Sequence, residues 1–308
     1  MILAAFAYYV LVIPISLLPL PILYLFTDFF YLLIITIVPY RSKVIDGNLE
    51  RSFPNLSKKE RDKIKRKYYR HFTNLLAEGI KNLTISKAAL QRRFKVRNPE
   101  IMEELAKKNR NVLLVSGHYN NWEWLITSQA FLFPFEAYGI GMPLSSKFWD
   151  KKVNERRSRF GMNVIHAGNY REALAQPTDL PKSVLVLSDQ SPGDARKSYW
   201  TNFLNQQTAV LFGAEMMANE LDYAVVFFTT HRIKRGYYEM ELEIITEDAK
   251  SLSWGEITEK HVHLLEKQIL DKPQFWLWSH KRWKREVPQD LDQLKRSQIE
   301  KFTKRYRS

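Results

Sequence analysis

The sequence predicts an α/β fold: a central, mostly parallel sheet flanked by helices, with an amino-terminal hydrophobic helical segment set apart from it. Three observations lead there. Short apolar runs such as residues 111–116 (NVLLVS) have the length of buried strands and alternate with longer stretches of helical period. The first 40 residues hold one charge, Asp28, whereas residues 41–308 carry all 47 Lys and Arg and 32 of the 33 Asp and Glu. The bulk composition, 45% hydrophobic and 26% charged, is that of a folded chain rather than a disordered one. The expected division is therefore 1–40 as a membrane anchor and 41–308 as a basic α/β domain.

The amino-terminal run is charge-free over residues 2–27 and apolar again over 29–38. A helix of about 20 apolar residues crosses a hydrocarbon core, so one crossing is available. Pro14, Pro19 and Pro21 disfavour a straight helix and suggest a kinked span or a hairpin that dips and returns. No Lys or Arg precedes the run and no small-residue cleavage site follows it, which speaks against a cleaved leader. A buried core helix is the remaining alternative. Arg41, Lys43, Arg51, Lys58 and Lys59 follow directly, and positive flanks place the domain on the cytoplasmic face. Residues 58–70 (KKERDKIKRKYYR) hold eight basic side chains in thirteen. They form a solvated helix face that also suits anionic lipid, at about 1 kcal/mol per Lys or Arg near the surface, or an acidic protein partner.

Within the domain, residues 57–82 read as a helix opened by Ser57 and Glu60 in capping-box spacing. Helices are expected at 99–108, 121–131, 147–159, 170–175, 208–220 and 253–270. Strands are expected at 111–116, 137–141, 163–166, 183–188 and 223–229. Residues 237–245 alternate and suit a strand half-exposed to water. A mostly parallel sheet forms its sites at the carboxyl ends of its strands.

The chain has no cysteine, which excludes disulfides, zinc–thiolate and iron–sulfur sites and a cysteine nucleophile. Phosphate-loop, dinucleotide, serine-elbow and zincin motifs are absent too, so neither a cofactor nor a metal is expected. The remaining feature is Ser116-Gly117-His118-Tyr119-Asn120-Asn121-Trp122-Glu123, directly after the first buried strand. His118 and Glu123 cannot meet within one regular helix, where five residues subtend about 140°. They can meet if His118 lies in the turn and Glu123 in the first helical turn, with Asn120 or Asn121 as cap. Glu123 would then fix the imidazole tautomer and leave the other nitrogen to take a proton from a hydroxyl. The spacing alone equally permits a structural histidine beside an unrelated surface glutamate. His261 and His263 face differently on their helix, and His71, His166 and His231 have no partner pattern.

These residues resemble the H-x4-[DE] motif of membrane acyltransferases, and the chain is similar over nearly its whole length to the lipid A biosynthesis (lauroyl/myristoyl) acyltransferase family. The resemblance rests on Asn48-Leu49…Ser52-Phe53-Pro54, on Gly117–Glu123, on Arg157-Ser158-Arg159-Phe160-Gly161, on Asp189-Gln190, and on the 273–284 run PQFWLWSHKRWK, in that order. It implies transfer of an acyl chain from an acyl-carrier-protein or coenzyme A thioester to a hydroxyl of a lipid A precursor at the bacterial inner membrane. It implies His118 as general base, Glu123 as its orienter, Arg159 as a holder of the oxyanion or a phosphate, and Asp189 as a group that fixes Arg159 or positions the acceptor. The substrate-binding set it implies is Asn121, Arg157, Gln190, His280, Lys281, Arg282 and Lys284, with the basic ending holding lipid phosphates. Trp276 and Trp278 suit either core packing or an interface. The run Asn202-Phe203-Leu204-Asn205 and the loop Gln190-Ser191-Pro192 depart from the family pattern, which leaves acceptor and acyl length open. A lysophospholipid, aminolipid or glycolipid is the alternative acceptor, and a non-catalytic polybasic tether the alternative of another class. Nucleic acid is not expected as a partner, since only the net charge of +14 favours it.

Overall fold

The structure, a computed structural model, describes residues 2–307. Its amino-terminal part is a bent apolar pair. Helix α1 (Ile2–Phe6), a π-helical stretch (Ala7–Val12) and α2 (Ile13–Leu17) run on into one another, and α3 (Leu20–Thr36) departs at 116°. The bend falls at Leu18 and Pro19, both in extended conformation. The carbonyls it orphans are taken by Lys81, whose Nζ donates to Ser16, Leu17 and Leu18 at 3.0, 3.3 and 3.1 Å. No single described helix is long and apolar enough to cross a membrane, and this bent pair passes only as a pair, on length and composition. It exposes Phe26, Phe29, Phe30 and Leu32 together, an apolar surface beyond that of scattered side chains.

Two helices follow, α4 (Ser42–Ser52) and α5 (Lys58–Lys81). The second opens with the expected capping box between Ser57 and Glu60. The bent pair is fastened to α5. Tyr24 donates to Glu78 at 2.6 Å, and Asp28 pairs with Arg70 and Arg235.

Seven strands form the sheet: β1 (Phe94–Val96), β2 (Val112–Ser116), β3 (Glu136–Gly141), β4 (Asn163–His166), β5 (Lys182–Leu187), β8 (Ala224–Lys234) and β9 (Tyr237–Thr246), in the order β1-β9-β8-β2-β5-β3-β4. The section from β8 to β4 is parallel. The long β8–β9 hairpin is antiparallel, and β1 pairs parallel to β9. Alternation along β2 sends Leu113 and Val115 into one core and Val112 and Leu114 into the other, so both faces are covered. The covering helices are α6 (Lys87–Arg93), α7 (Glu100–Lys107), α8 (Trp122–Leu132), α9 (Lys147–Ser158), α10 (Tyr170–Ala175), α11 (Gly213–Leu221), α12 (Glu256–Asp271) and α13 (Leu291–Tyr306).

One expected helix is split. Residues 208–220 begin as β7 (Gln206–Val210), paired antiparallel with β6 (Tyr199–Phe203), and only from Gly213 turn helical. The two-residue turn Leu204–Asn205 has positive φ at both positions (49° and 62°), the geometry of a tight hairpin. Asn205 anchors that turn by donating to the Ser52 carbonyl at 3.0 Å.

Candidate active site

The strand order brings two chain segments together that lie 71 residues apart. β5 inserts between β2 and β3, with Ser116 opposite Leu187, and the Ser188 amide continues the ladder to the Ser116 carbonyl at 3.0 Å. His118, just past the end of β2, therefore meets Asp189, just past the end of β5. His118 Nδ1 lies 2.6 Å from Asp189 Oδ1, and the His118 amide donates to Asp189 Oδ2 at 2.8 Å. The Trp276 indole donates to the same Oδ2 at 2.7 Å. Gly117 permits this approach, because a Cβ there would stand 2.8 Å from Asp189 Oδ2 and 2.9 Å from both Leu265 methyls. Burial alone would raise the Asp189 carboxyl. The electrostatic attraction of the His118 ring, its ring and amide donors and the Trp276 indole outweigh that and hold it well below the usual carboxylate range. An ionised Asp189 takes the Nδ1 proton, so Nε2 is left as the acceptor. Facing Nε2 at 3.3 Å is Nε2 of Gln190. The imidazole is mostly buried, and Trp122 packs edge-on against it at 5.1 Å.

Glu123 is therefore not the orienter of His118. Its carboxylate is held by Arg156 and Arg157 from the last turn of α9. Arg157 Nη2 donates to Oε1 at 2.5 Å and Nε to Oε2 at 3.2 Å, and Arg156 binds Oε2 as well. Burial works to raise its pKa, but the two guanidinium groups, with a smaller contribution from His118, bring it down to about 2. Two fixed cations are stronger partners for a carboxylate than an imidazole already engaged elsewhere. Arg157, expected on substrate, is thereby accounted for.

Asp189 does not fix Arg159 either. The Arg159 guanidinium donates to the carbonyls of Asn82 and Ile85 after the end of α5 and lies over the Phe160 ring. It has the surroundings of a helix-end cap rather than of an oxyanion holder. Asn121 is buried as the N-cap of α8: its Oδ1 accepts from the Trp124 amide at 3.0 Å and its Nδ2 donates to Glu78 at 2.6 Å. The basic ending divides. Lys281 and Lys284 are exposed, whereas Arg282 is only 2% exposed and lines a small internal cavity with Asp189 and His261. Buried there, it is unsuited to a lipid phosphate. Its pKa falls to about 10 because burial outweighs the nearby Asp189 charge. His280 Nε2 accepts from the Ser191 amide at 3.1 Å and so steadies the loop after Asp189. Trp276 and Trp278 belong to the core. The Asn48 segment braces them, since Asn48 Nδ2 donates to the carbonyls of Trp278 and His280, both at 2.9 Å.

Beside this site, Phe72, Leu75, Leu76, Trp122 and Leu277 line a cavity of about 160 Å³ that includes the edge of Glu123. Among the described residues no group of acidic or histidine side chains is arranged to hold a metal ion. The arrangement is a histidine base with a buried carboxylate behind it and, among the described residues, no protein nucleophile in contact. It can deprotonate a hydroxyl brought to Nε2. A family model described as bacterial lipid A biosynthesis acyltransferase matches residues 1–285. No curated protein matches the chain at a significant level.

Proposed function

Since the chain belongs to the bacterial lipid A biosynthesis acyltransferase family and is thus an acyltransferase, we propose that it moves a fatty acyl chain from a thioester donor to a hydroxyl of a lipid A precursor. The observation that carries this reading is the 2.6 Å bond from His118 to Asp189 at the carboxyl ends of adjacent strands. His118 Nε2 takes the proton of the acceptor hydroxyl, whose oxygen attacks the thioester carbonyl. The tetrahedral intermediate collapses with loss of the thiolate, and the imidazolium returns the proton to its sulfur. Asp189 stabilises the imidazolium between these steps. The Gln190 side-chain amide, 3.3 Å from His118 Nε2, is a donor placed beside the reacting centre and serves the developing oxyanion. No covalent enzyme intermediate is needed, in keeping with a chain that lacks cysteine.

Residues 1–40 act as the membrane anchor of the 41–308 acyltransferase domain, with the bent pair lying in the cytoplasmic leaflet of the inner membrane. The exposed Phe26, Phe29 and Phe30 support this, as does a recess of about 410 Å³ lined by Tyr31, Lys59, Lys63, Arg66, Lys67 and Arg70, which suits anionic headgroups. The test is mass spectrometry of total lipid from cells carrying the wild-type protein or His118→Ala. The expected result is a lipid A species heavier by one acyl chain with wild type and missing with the variant. The same gain on a phospholipid or aminolipid would move the proposal to that acceptor, and identical lipids in both strains would defeat it.

A further inference from the structure

The chain beyond residue 285 lies outside the family match, yet it builds a wall of a further cavity. α13 folds back on the domain. Phe302 packs on Phe212 with ring centroids 6.1 Å apart, Arg196 pairs with Asp290 at 2.9 and 2.7 Å, and Arg307 donates to Asn219 at 2.8 Å. Between α13, the start of α11 and the loop 192–198 lies a cavity of about 590 Å³. Phe212, Trp254 and Phe302 give it aromatic walls, and Lys197, Lys301 and Arg305 stand among its lining, Lys197 at 3.9 Å from Asp194 and Arg305 at 3.4 Å from Glu220. Among the described residues that line it, Asp194 is the only carboxylate. α11 opens toward it without a side-chain cap on its first amides, and nothing lies within 4 Å of where a Cβ on Gly213 would stand. An uncapped helix start attracts anions.

This cavity adjoins the site already described. Its wall includes Pro192, two residues after Gln190, a chain distance of about 7 Å at most. The intervening loop is pinned at Ser191 by His280 and at the Pro192 carbonyl by Arg285 Nε, at 3.1 and 2.8 Å.

We propose that the cavity binds the nucleotide end of a coenzyme A thioester. The base lies against Trp254 and Phe212. The phosphates meet Lys197, Lys301, Arg305 and the α11 amides, and the pantetheine arm crosses the Gln190–Pro192 loop to His118. The occupant follows from size and chemistry. The volume is that of a small-molecule site, flat aromatic walls suit a base, and the cationic rim suits phosphates. A fatty acid brings one charge to this rim, where a bisphosphate brings several and can draw Lys197 and Arg305 from their exposed ion pairs with Asp194 and Glu220; a carrier protein docks on an extended surface rather than in a recess. Only the destination of the arm rests on the proposed function.

Titration calorimetry on the full-length protein tests the site without any acyl transfer, using adenosine 3′,5′-bisphosphate, inorganic phosphate and adenosine as probes. The bisphosphate is expected to bind more tightly than either fragment, less tightly as salt rises, and about tenfold or more weakly in Lys301→Glu. Lys301 is exposed, so this variant leaves the packing intact. In turnover it should raise KM for acyl-coenzyme A with kcat kept. No saturable binding up to about 1 mM, equal affinity in Lys301→Glu, or a KM effect on an acyl carrier protein alone would each overturn the proposal. Bisphosphate binding without any acyl transfer would uphold this site and defeat the proposed function, and acyl transfer without bisphosphate binding the reverse.

Discussion

Replacing Asp189 by asparagine isolates the group that sets the His118 tautomer. Asp189 accepts three hydrogen bonds: from the His118 amide and the Trp276 indole on Oδ2, and from His118 Nδ1 on Oδ1. The first two donors cannot become acceptors, so in Asp189→Asn the amide oxygen of the new side chain must take the Oδ2 place. Its NH2 group then faces Nδ1, the one partner able to change role. The imidazole flips to the Nε2–H tautomer and presents a donor where the acceptor hydroxyl needs a base. Regaining the active tautomer would turn the amide round and strand two buried donors, at about 1–3 kcal/mol each. That corresponds to roughly 30-fold to 10⁴-fold in kcat, and the imidazolium also loses its counter-charge, so a fall of about 10³ or more is expected. Single-turnover acylation gives the rate, and ¹⁵N NMR of the His118 ring reports the tautomer. A well-folded variant that keeps the Nδ1–H form, or acylates within tenfold of wild type, would refute the reasoning.

Three further outcomes follow from the geometry. In Glu123→Gln the Arg156 and Arg157 pair loses its anion. The carboxyl titrates at about 2 in the fold against 4.5 ordinarily, so its contribution is complete above pH 4.5 and is lost as pH falls toward 2. That amounts to roughly 3 kcal/mol at neutral pH, less some solvent screening of a side chain one-fifth exposed. Denaturant melts from pH 2 to 7 should show the variant less stable at pH 7 and flatter below 4.5. Gly117→Ala forces a methyl against Asp189 and Leu265, with a cost of about 1–3 kcal/mol. It should lower both Tm and turnover, and unchanged turnover would mean that Asp189 can shift without consequence. Tyr24→Phe removes one of three donors to the buried Glu78 carboxylate, at about 1–3 kcal/mol. Equilibrium unfolding in detergent checks it, and an unchanged midpoint would contradict the role given to Glu78.

Much of the fold was legible because it is local. The capping box at Ser57 and Glu60, the NVLLVS run and the alternation over 237–245 all write their geometry into neighbouring residues. The β6–β7 hairpin was not, because its turn places a buried Leu204 at positive φ, a position usually marked by Gly, Asn or Asp. The site was half legible. His118 stands out by its place after a buried strand. Its partner was misread because nearness in sequence favoured Glu123, whereas the contact with Asp189 exists only once β5 has inserted beside β2. Nothing local encodes strand order. The best available hint was that Asp189 follows the strand run of 183–188 as His118 follows that of 111–116, and carboxyl ends of parallel strands converge. Arg159 and Arg282 show the converse, since basic residues beside a motif look like ligand contacts until burial and carbonyl partners are seen.

The contrast between one charge in the first 40 residues and a basic remainder suggested an anchor merely tethered to an enzyme, and the contacts argue against a tether. Asp28, that single charge, is spent on Arg70 and Arg235 of the domain. Tyr24 of α3 binds Glu78, Glu78 binds Asn121, and Asn121 caps the helix that starts four residues after His118. Tyr238 of β9 completes the shell around Glu78 at 2.8 Å. A fully buried carboxylate is costly unless each donor is present, so the apolar helix, the basic helix α5, the sheet and the start of α8 are fixed relative to one another through one group. Removing residues 1–40 would therefore leave Glu78 short of a donor and disturb the Asn121 cap, lowering acylation even of a water-soluble acceptor. The bent pair, proposed above as the anchor, is by these contacts also part of the packing that positions the start of α8 beside His118.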